Sequence, residues 1–394
     1  MKKQFVWILA AQIIASALSA LGYIWLGRLV GVAAIGVIGI VTSVMSFIVI
    51  VADFGISSYL AKERALGHED KVVDALRFNA LSSVVFGVGT VLVLGILWLS
   101  AGIPWALMAL GLSLVIEKNT NTAMAVPVAD RLKAVPAISI LLRRVISFGL
   151  FAIGVVAGFD TIISFSLAAL VAAIIGQAQL RLWMRGKVQT TGSSRRQAFR
   201  AATEAWPYLV SNATAHVRTL DTSIVAAVGS TYSAGIYAAA TRITNPFYLL
   251  PSALANVVMP HSARQDAAAA RRMAMRVALA FGVLVVPLAI IAVFAQPIVV
   301  LLMGDAFAAS APTLAAMLIG LPFIALASPL GTILQSQGRQ HYVSVNGAVF
   351  AVIVLAAIAT GAILAGPLGA AIGMGVAYLL KSASLLIVIA RQLR

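Results

Sequence analysis

The chain has 394 residues, 61% of them hydrophobic and only 10% charged, and it carries no cysteine. That composition excludes a water-soluble globule, and the missing cysteines exclude disulfides, thiolate metal sites and cysteine nucleophiles. The 28 Lys and Arg exceed the 12 Asp and Glu by 16, yet they fall in short bursts between apolar runs of membrane-span length, which removes nucleic acid as the partner.

A span with its loop takes about 30 to 35 residues, so the length predicts roughly a dozen transmembrane elements. The apolar runs lack period-two alternation, which selects helices over a barrel as the way to satisfy the backbone in lipid. The expected fold is all-α and polytopic, with about 12 transmembrane helices. In chain order the spans are predicted over 5–27, 35–60, 75–100, 104–126, 136–157, 161–183, 203–228, 233–260, 275–302, 307–335, 342–364 and 368–390. The longest polar stretch, RGKVQTTGSSRRQAFR (185–200), lies near the midpoint. It divides the chain into an N-terminal six-helix bundle (1–184), a basic linker (185–202) and a C-terminal six-helix bundle (203–394). Gly31 and Gly36 between the first two spans are echoed by Gly229 and Gly235 between the seventh and eighth. The echo suggests parallel repeats around a central cavity.

Twelve spans put both termini on one side, and the Lys/Arg bias identifies that side as cytoplasmic. Basic residues gather at Lys2 and Lys3, at 62–77, at Lys118, at 131–133, across 181–200, at 264–276, at Arg339 and at 391–394. The opposite side has Arg28 alone and is otherwise met by tight connections at 158–160, 229–231 and 366–367. Lys2 and Lys3 lead into a full-length span, unlike the start of a cleaved signal peptide.

An ionisable side chain near mid-bilayer costs about 2.5–3.5 kcal/mol even on an insertion scale, so each needs water, a partner or a function. Arg218 lies 15 residues after Thr203 and 10 before Val228, deeper than easy snorkelling reach. Arg242 and Lys381 are intermediate in depth. Arg143 and Arg144 are shallower, and snorkelling to headgroups explains them as well as function does. Asp221 follows Arg218 by three and shares its helix face, a candidate internal ion pair. Asp53 and Glu204 lie near cytoplasmic ends, where boundary carboxylates are ordinary. Uncharged polar residues form stripes at spacings of three and four: Gln12, Ser16, Ser19 and Tyr23; Ser46, Asp53 and Ser57; Ser211, Thr214, Arg218, Asp221 and Thr222; and Tyr237, Thr241, Asn245, Tyr248, Ser252 and Asn256. One such stripe would be explained by helix-to-helix hydrogen bonds; stripes on corresponding helices of both halves point to a shared water-filled cavity. His216 has no second ligand at metal spacing and reads as a packed or hydrogen-bonded histidine. Pro207, Pro246, Pro251, Pro287 and Pro329 are expected to kink their helices.

No phosphate loop of the G-x-x-x-x-G-K-[ST] kind, no H-E-x-x-H and no G-x-S-x-G occurs in the chain, and no loop is long enough to house an active site. The sequence therefore reads as a non-enzyme with no cofactor and no metal site.

The stretch GRLVGVAAIGVIGIVTSVMSFIVIVADFGISSYLAKERA (27–65) resembles the first helical hairpin of the polysaccharide-biosynthesis flippases. These are the Wzx-type O-unit translocases of the multidrug/oligosaccharidyl-lipid/polysaccharide exporter superfamily. LDTSIVAAVGSTYSAGIYAAATRITNPFYLLPSALANVVMPHSAR (220–264) and LLMGDAFAASAPTLAAMLIG (301–320) are similar to corresponding parts of that family. The resemblance implies two bundles rocking between inward-open and outward-open states around a cationic cavity, in a bacterial inner (cytoplasmic) membrane. It implies a polyprenyl-pyrophosphate-linked oligosaccharide as cargo. Arg218, Arg242 and Lys381, with Arg143 and Arg144, would bind the pyrophosphate or acidic sugars, and Tyr237, Thr241, Asn245 and Tyr248 would contact sugar hydroxyls. Asp221, or in its place Asp53 or Glu204, would couple transport to a proton or sodium gradient. Its expected partners are the lipid-linked sugar, membrane lipids and a polysaccharide polymerase or assembly protein.

Two other readings stand beside this one. A drug or cation exporter of the same superfamily would share the architecture but should present acidic groups to its cargo. A non-transporting membrane scaffold would need no cavity at all.

Overall fold

Helix formation is enforced by the apolar length of the runs, and the breaks fall where glycine or a capping side chain permits them. The computed structural model describes residues 2–130, 132, 134–188, 194–248, 262 and 266–392; at 2–10, 195, 210, 211, 215, 248 and 392 it describes the backbone alone. The helices are α1 (Lys2–Ala52), α2 (Ile56–Leu66), α3 (Glu69–Ala101), α4 (Leu107–Ala123), α5 (Ala125–Ala129), α6 (Ala134–Val156) and α7 (Thr161–Met184). They continue with α8 (Arg195–His216), α9 (Asp221–Val228), α10 (Thr231–Thr244), α11 (Ala267–Val293), α12 (Ala295–Met303), α13 (Ala311–Ser336) and α14 (Gln340–Gln392). Short 3-10 turns occupy Val217–Leu220, Asn245–Tyr248 and Asp305–Ser310. No strand occurs among the described residues.

α1 has 51 residues and α14 has 53, each about 75–80 Å at 1.5 Å per residue, more than twice the hydrocarbon thickness. Each therefore supplies two spans. α1 is interrupted at Gly31 (φ 79°, ψ 178°) and α14 at Ala365 and Gly366. The loop expected between 27 and 35 thus shrinks to one non-helical residue. Among the described residues, seven helices are long and apolar enough to cross a membrane, the segments 11–66 and 340–391 being of double length. The remaining predicted spans are assembled from shorter pieces: the fourth from α4 and α5, the seventh from α8, a 3-10 turn and α9. The eighth begins in α10, and its part beyond residue 248 lies outside the described residues. Pro207, Pro287 and Pro329 lie inside α8, α11 and α13, and Pro246 in a 3-10 turn; Pro251 lies outside the described residues.

The expected tight connections carry the helix caps. Asp160 accepts a hydrogen bond from the Ile163 amide (2.9 Å) at the start of α7. Ser230 accepts one from the Ser233 amide (3.1 Å) at the start of α10. In the linker, Ser194 and Gln197 form a reciprocal capping box that begins α8. Each cap satisfies amides that the first helical turn leaves without partners.

Two compact units emerge by packing: residues 1–22 with 41–219, and residues 23–40 with 220–394. In the first, α4 packs between α3 and α7, α6 covers α7, and α8 lies against α2 and α3. Ile56, Leu60, Val72, Phe78 and Ala205 form its tightest apolar cluster, sealed by edge-to-face contacts of Phe78 with Phe54 and Phe199. Val84, Val85, Val88, Leu92 and Ile96 project outward from α3, as apolar side chains do where the solvent is hydrocarbon.

The second unit is built around α13, whose apolar window is 78% buried, against 6% for α11 at its periphery. α13 packs on α10, α11 and α14. Helix crossing is closest where α1 meets α10: a Cβ on Gly36 would overlap the carbonyl of Thr231, and one on Gly235 would overlap the carbonyl of Val32. The two glycines singled out by the repeat echo are thus packed against each other's helices, an approach only small residues allow.

Candidate functional site

Each unit holds ionisable side chains inside its helical packing, and the two sets are held differently. In the first unit the centre is the α4 segment Glu117–Lys118–Asn119–Thr120–Asn121–Thr122. Six consecutive polar residues in a spanning helix cover its whole circumference, so they reach the α1–α2 kink, α3, α6 and α7 at once. Lys118 is 4% exposed. It donates to Asn79 Oδ1 (2.9 Å) and Ser82 Oγ (2.8 Å), both on α3. Asn79 in turn donates to Asn119 Oδ1 (2.7 Å). The buried ammonium therefore has neutral oxygens around it, which solvate the charge without cancelling it.

Glu117 is the partner of both arginines of α6. Arg144 donates to Glu117 Oε1 at 2.6 Å, and Arg143 Nη1 lies 3.3 Å from the same oxygen. Arg143 is 4% exposed and also donates to Asn121 Oδ1 (2.8 Å) and the Ser139 carbonyl (3.2 Å). Its aliphatic stem crosses α7 where Gly176 leaves room; a Cβ there would overlap it. Arg143 therefore points inward to an ion pair, which corrects the snorkelling alternative for that residue. With the candidate Oε1 shared between two guanidiniums, both arginines serve the packing of α4 against α6 and α7.

Asp53, at the kink between α1 and α2, accepts from Ser57 Oγ (2.8 Å), from the Ser57 amide (3.2 Å) and from Thr122 of α4. Glu204 on α8 accepts from Tyr59 (2.8 Å) and faces Lys71 (3.4 Å) and Arg200 (3.3 Å). The Glu204 cluster joins the ends of α2, α3 and α8 and has the character of a boundary carboxylate. Lys118, counted from sequence with the cytoplasmic-side cations, instead lies buried in the first unit.

In the second unit the cations meet aromatic rings. The Arg242 guanidinium on α10 stacks over the Tyr23 ring of α1, its Cζ 4.1 Å from the centroid. Lys381 on α14 lies with its ammonium 5.7 Å from the Tyr378 ring. A ring holds the face of a cation and so positions its charge, and the Arg242 guanidinium also hydrogen-bonds the Tyr23 side chain. Asp221 at the start of α9 is 7% exposed and accepts from the Thr222 amide (2.6 Å) and hydroxyl (3.1 Å). Asn245 is half-buried in the 3-10 turn after α10. Arg28 caps α12, donating to the carbonyls of Leu302 (2.8 Å) and Leu301.

The α10 stripe is corrected in part. Tyr237 is fully buried, its hydroxyl 3.8 Å from Met374 Sδ, and Thr241 is 7% exposed and donates to the Ala238 carbonyl (2.8 Å). Both face the packed interior of the second unit, where a helix buried on that side must put its polar groups into local hydrogen bonds. The Tyr248 side chain, Ser252 and Asn256 lie outside what is described. Arg218 lies in the turn Val217–Leu220, partly exposed, at the end of the first unit. His216 ends α8, with its side chain reaching the surface.

The structure thus brings Tyr23 of one predicted stripe onto Arg242, and groups Arg143 with Arg144. It assigns Arg218 to the first unit and Arg242, Lys381 and Asp221 to the second. Sequence reasoning missed the Glu117–Thr122 block, although six polar residues inside a predicted span were a visible signal.

A family model described as polysaccharide biosynthesis protein matches residues 25–312. No curated protein matches the chain. Among solved structures, an inward-facing multidrug resistance MATE family transporter of the MOP superfamily aligns with TM-score 0.76 and 15% identity, over 99% of this chain and 98% of that one. The lipid II flippase MurJ in an inward closed conformation aligns with TM-score 0.77 and 14% identity, over 98% and 87%. A MOP superfamily transporter from Pyrococcus furiosus, described as having a binding pocket of reverse polarity, aligns with TM-score 0.70 and 15% identity, over 100% and 96%. The all-α polytopic fold is the fold of these proteins.

Proposed function

The chain belongs to the polysaccharide biosynthesis protein family, and from that premise we propose that it is a membrane transporter, not an enzyme, that flips a polyprenyl-pyrophosphate-linked oligosaccharide from the cytoplasmic to the outer leaflet. The observation that carries the reading is the way Arg242 is held: inside a membrane helix, half-buried, with its face against Tyr23. A guanidinium oriented in this way inside a membrane helix has the positive charge and planar donor geometry that suit phosphate oxygens. Lys381, beside Tyr378, is the second binding cation of the same unit, and Arg218 is a third candidate. Asn245 and Tyr248 supply hydrogen bonds to sugar hydroxyls.

Arg143, Arg144, Tyr237 and Thr241 are left out of the binding set because each already has a packing role. Asp221, buried yet close to the cationic stretch of the chain, is the preferred group for coupling to a proton or sodium gradient, ahead of Asp53 and Glu204. The proposed setting is a bacterial inner membrane with both termini cytoplasmic. Two six-helix bundles would work there by alternating access, and a polysaccharide polymerase or assembly protein would take the flipped product.

The test is reconstitution into liposomes loaded with a lipid-linked oligosaccharide. Arg218→Ala and Arg242→Ala should insert and fold but translocate poorly. Wild-type rates from both would remove these arginines from the mechanism, and no transport by the wild type would end the reading.

A further inference from the structure

Two adjoining cavities open on the surface of the first unit, and neither contains any residue assigned above to the cargo. The larger, about 480 Å³, is a trough walled by α3 and α4. Val84, Val88, Val91 and Leu92 lie along it, and Asn119, Gln177 and Arg181 close one end. The second, about 400 Å³, begins at Gln177 and Arg181 and adds Arg185.

The polarity of this surface follows the chain direction. α3 rises from the predicted cytoplasmic side and α7 descends to it, so Arg181 and Arg185, at the C-terminal end of α7, sit at the level of the inner-leaflet headgroups. From Ala80 to Leu92 the trough extends along α3 for about 18 Å toward mid-bilayer. The Gln177 amide, with its oxygen turned toward them, accepts from Arg181 Nη2 (2.6 Å) and Asn119 Nδ2 (2.9 Å). That contact fixes the guanidinium at the mouth of the trough. Among the described residues, neither Arg181 nor Arg185 has a carboxylate within ion-pair distance.

We propose that this groove is a loading site for the isoprenoid diphosphate end of a lipid carrier, with the diphosphate on Arg181 and Arg185 and the first isoprene units in the α3–α4 trough. Two guanidiniums one helical turn apart match two phosphoryl groups, whereas a two-chain glycerophospholipid such as phosphatidylglycerol in the same leaflet offers one phosphate and two acyl chains. A single apolar trough leading straight from the cationic end suits one chain. A basic residue in the last turn also favours the helix terminus electrostatically, and that role alone would need no trough. The proposal rests on the transporter reading for its choice of lipid, though the groove itself does not depend on it.

The experiment uses the full-length protein in phosphatidylcholine nanodiscs, with radiolabelled geranylgeranyl diphosphate as the probe. Inorganic pyrophosphate and geranylgeraniol should each compete at least about tenfold less well than the unlabelled probe, since each lacks half of the recognised chemistry. Arg181→Gln and Arg185→Gln should each weaken the probe about tenfold, the loss of one charge-assisted hydrogen bond. Val91→Trp, which fills the deep end at an exposed position, should weaken geranylgeranyl diphosphate but not geranyl diphosphate. Phosphatidylglycerol displacing the probe as well as unlabelled probe does would overturn the assignment in favour of a general anionic-lipid surface. So would wild-type affinity in Arg181→Gln and Arg185→Gln together, or an equal effect of Val91→Trp on both chain lengths. Binding without translocation in the liposome assay would sink the transporter reading and leave the groove standing. Translocation by a wild type that shows no saturable probe binding would sink the groove alone.

Discussion

The two units answer the same problem, a positive charge inside a membrane protein, with different neighbours: polar side chains in the first, a carboxylate among them, and aromatic rings in the second. In the first, Arg143 and Arg144 converge on Glu117, and Lys118 is wrapped by Asn79 and Ser82. In the second, Arg242 and Lys381 lie against Tyr23 and Tyr378. A carboxylate partner ties helices together through opposite charge, whereas an aromatic partner fixes the orientation of the cation's face. The difference teaches that a basic residue in a span is not a binding residue by virtue of depth alone. Its neighbours decide.

The comparison can be broken most sharply at Glu117. Replacing it by Gln leaves Arg143, 4% exposed, without its counter-charge, and stability should fall by about 3–5 kcal/mol, the usual cost of orphaning a buried charge. Thermal unfolding in detergent would register this as a large drop in Tm, whereas an unchanged Tm would mean that the pair contributes nothing to the first unit. Lys118→Met should cost less, about 1–3 kcal/mol, because it strands Asn79 Oδ1 and Ser82 Oγ while conserving most of the volume. In the second unit, Tyr23→Leu should lower transport through loss of a ring contact worth about 0.5–2 kcal/mol. Tyr23→Phe, which keeps the ring but loses the hydroxyl that Arg242 also hydrogen-bonds, should fall between Tyr23→Leu and the wild type, and equal behaviour of the Phe and Leu variants would deny the ring its role. The smallest effect is expected at Arg200, which is 79% exposed beside Glu204: Arg200→Ala should change stability by less than about 1 kcal/mol, and a larger shift would promote the Glu204 cluster from boundary to core.

Much of the fold was legible because apolar run length is a one-dimensional property. The spans that make up α1 and α14 are expected from run length, though as pairs joined by loops rather than helices split only at Gly31 and at Ala365–Gly366, and the caps Asp160 and Ser230 sit in the turns the loops predicted. Glycine spacing also pointed at Gly36 and Gly235, though not at their mutual contact. The site was less legible. Lys118 resembles a boundary charge in sequence, since its solvation comes from α3, nearly forty residues away. The same holds for Arg143, whose path depends on the absence of a side chain at Gly176. Tyr237 and Thr241 shared a stripe with Asn245, but periodicity gives a face and not what covers it; α13 and α14 pack against α10. That residues 23–40 pack with 220–394 is likewise a long-range fact, and it is what places Tyr23 under Arg242.

The central claim is that the aromatic-held cations of the second unit receive the negative charge of the cargo. Its most direct measurement is the initial rate of lipid-linked oligosaccharide translocation in proteoliposomes by Arg242→Gln and Arg242→Lys, normalised to folded protein. The account predicts that Gln, which keeps hydrogen-bonding capacity but not charge, slows translocation by about tenfold or more, with Lys retaining an intermediate rate and both variants melting as the wild type does. Translocation by Arg242→Gln at the wild-type rate would contradict it.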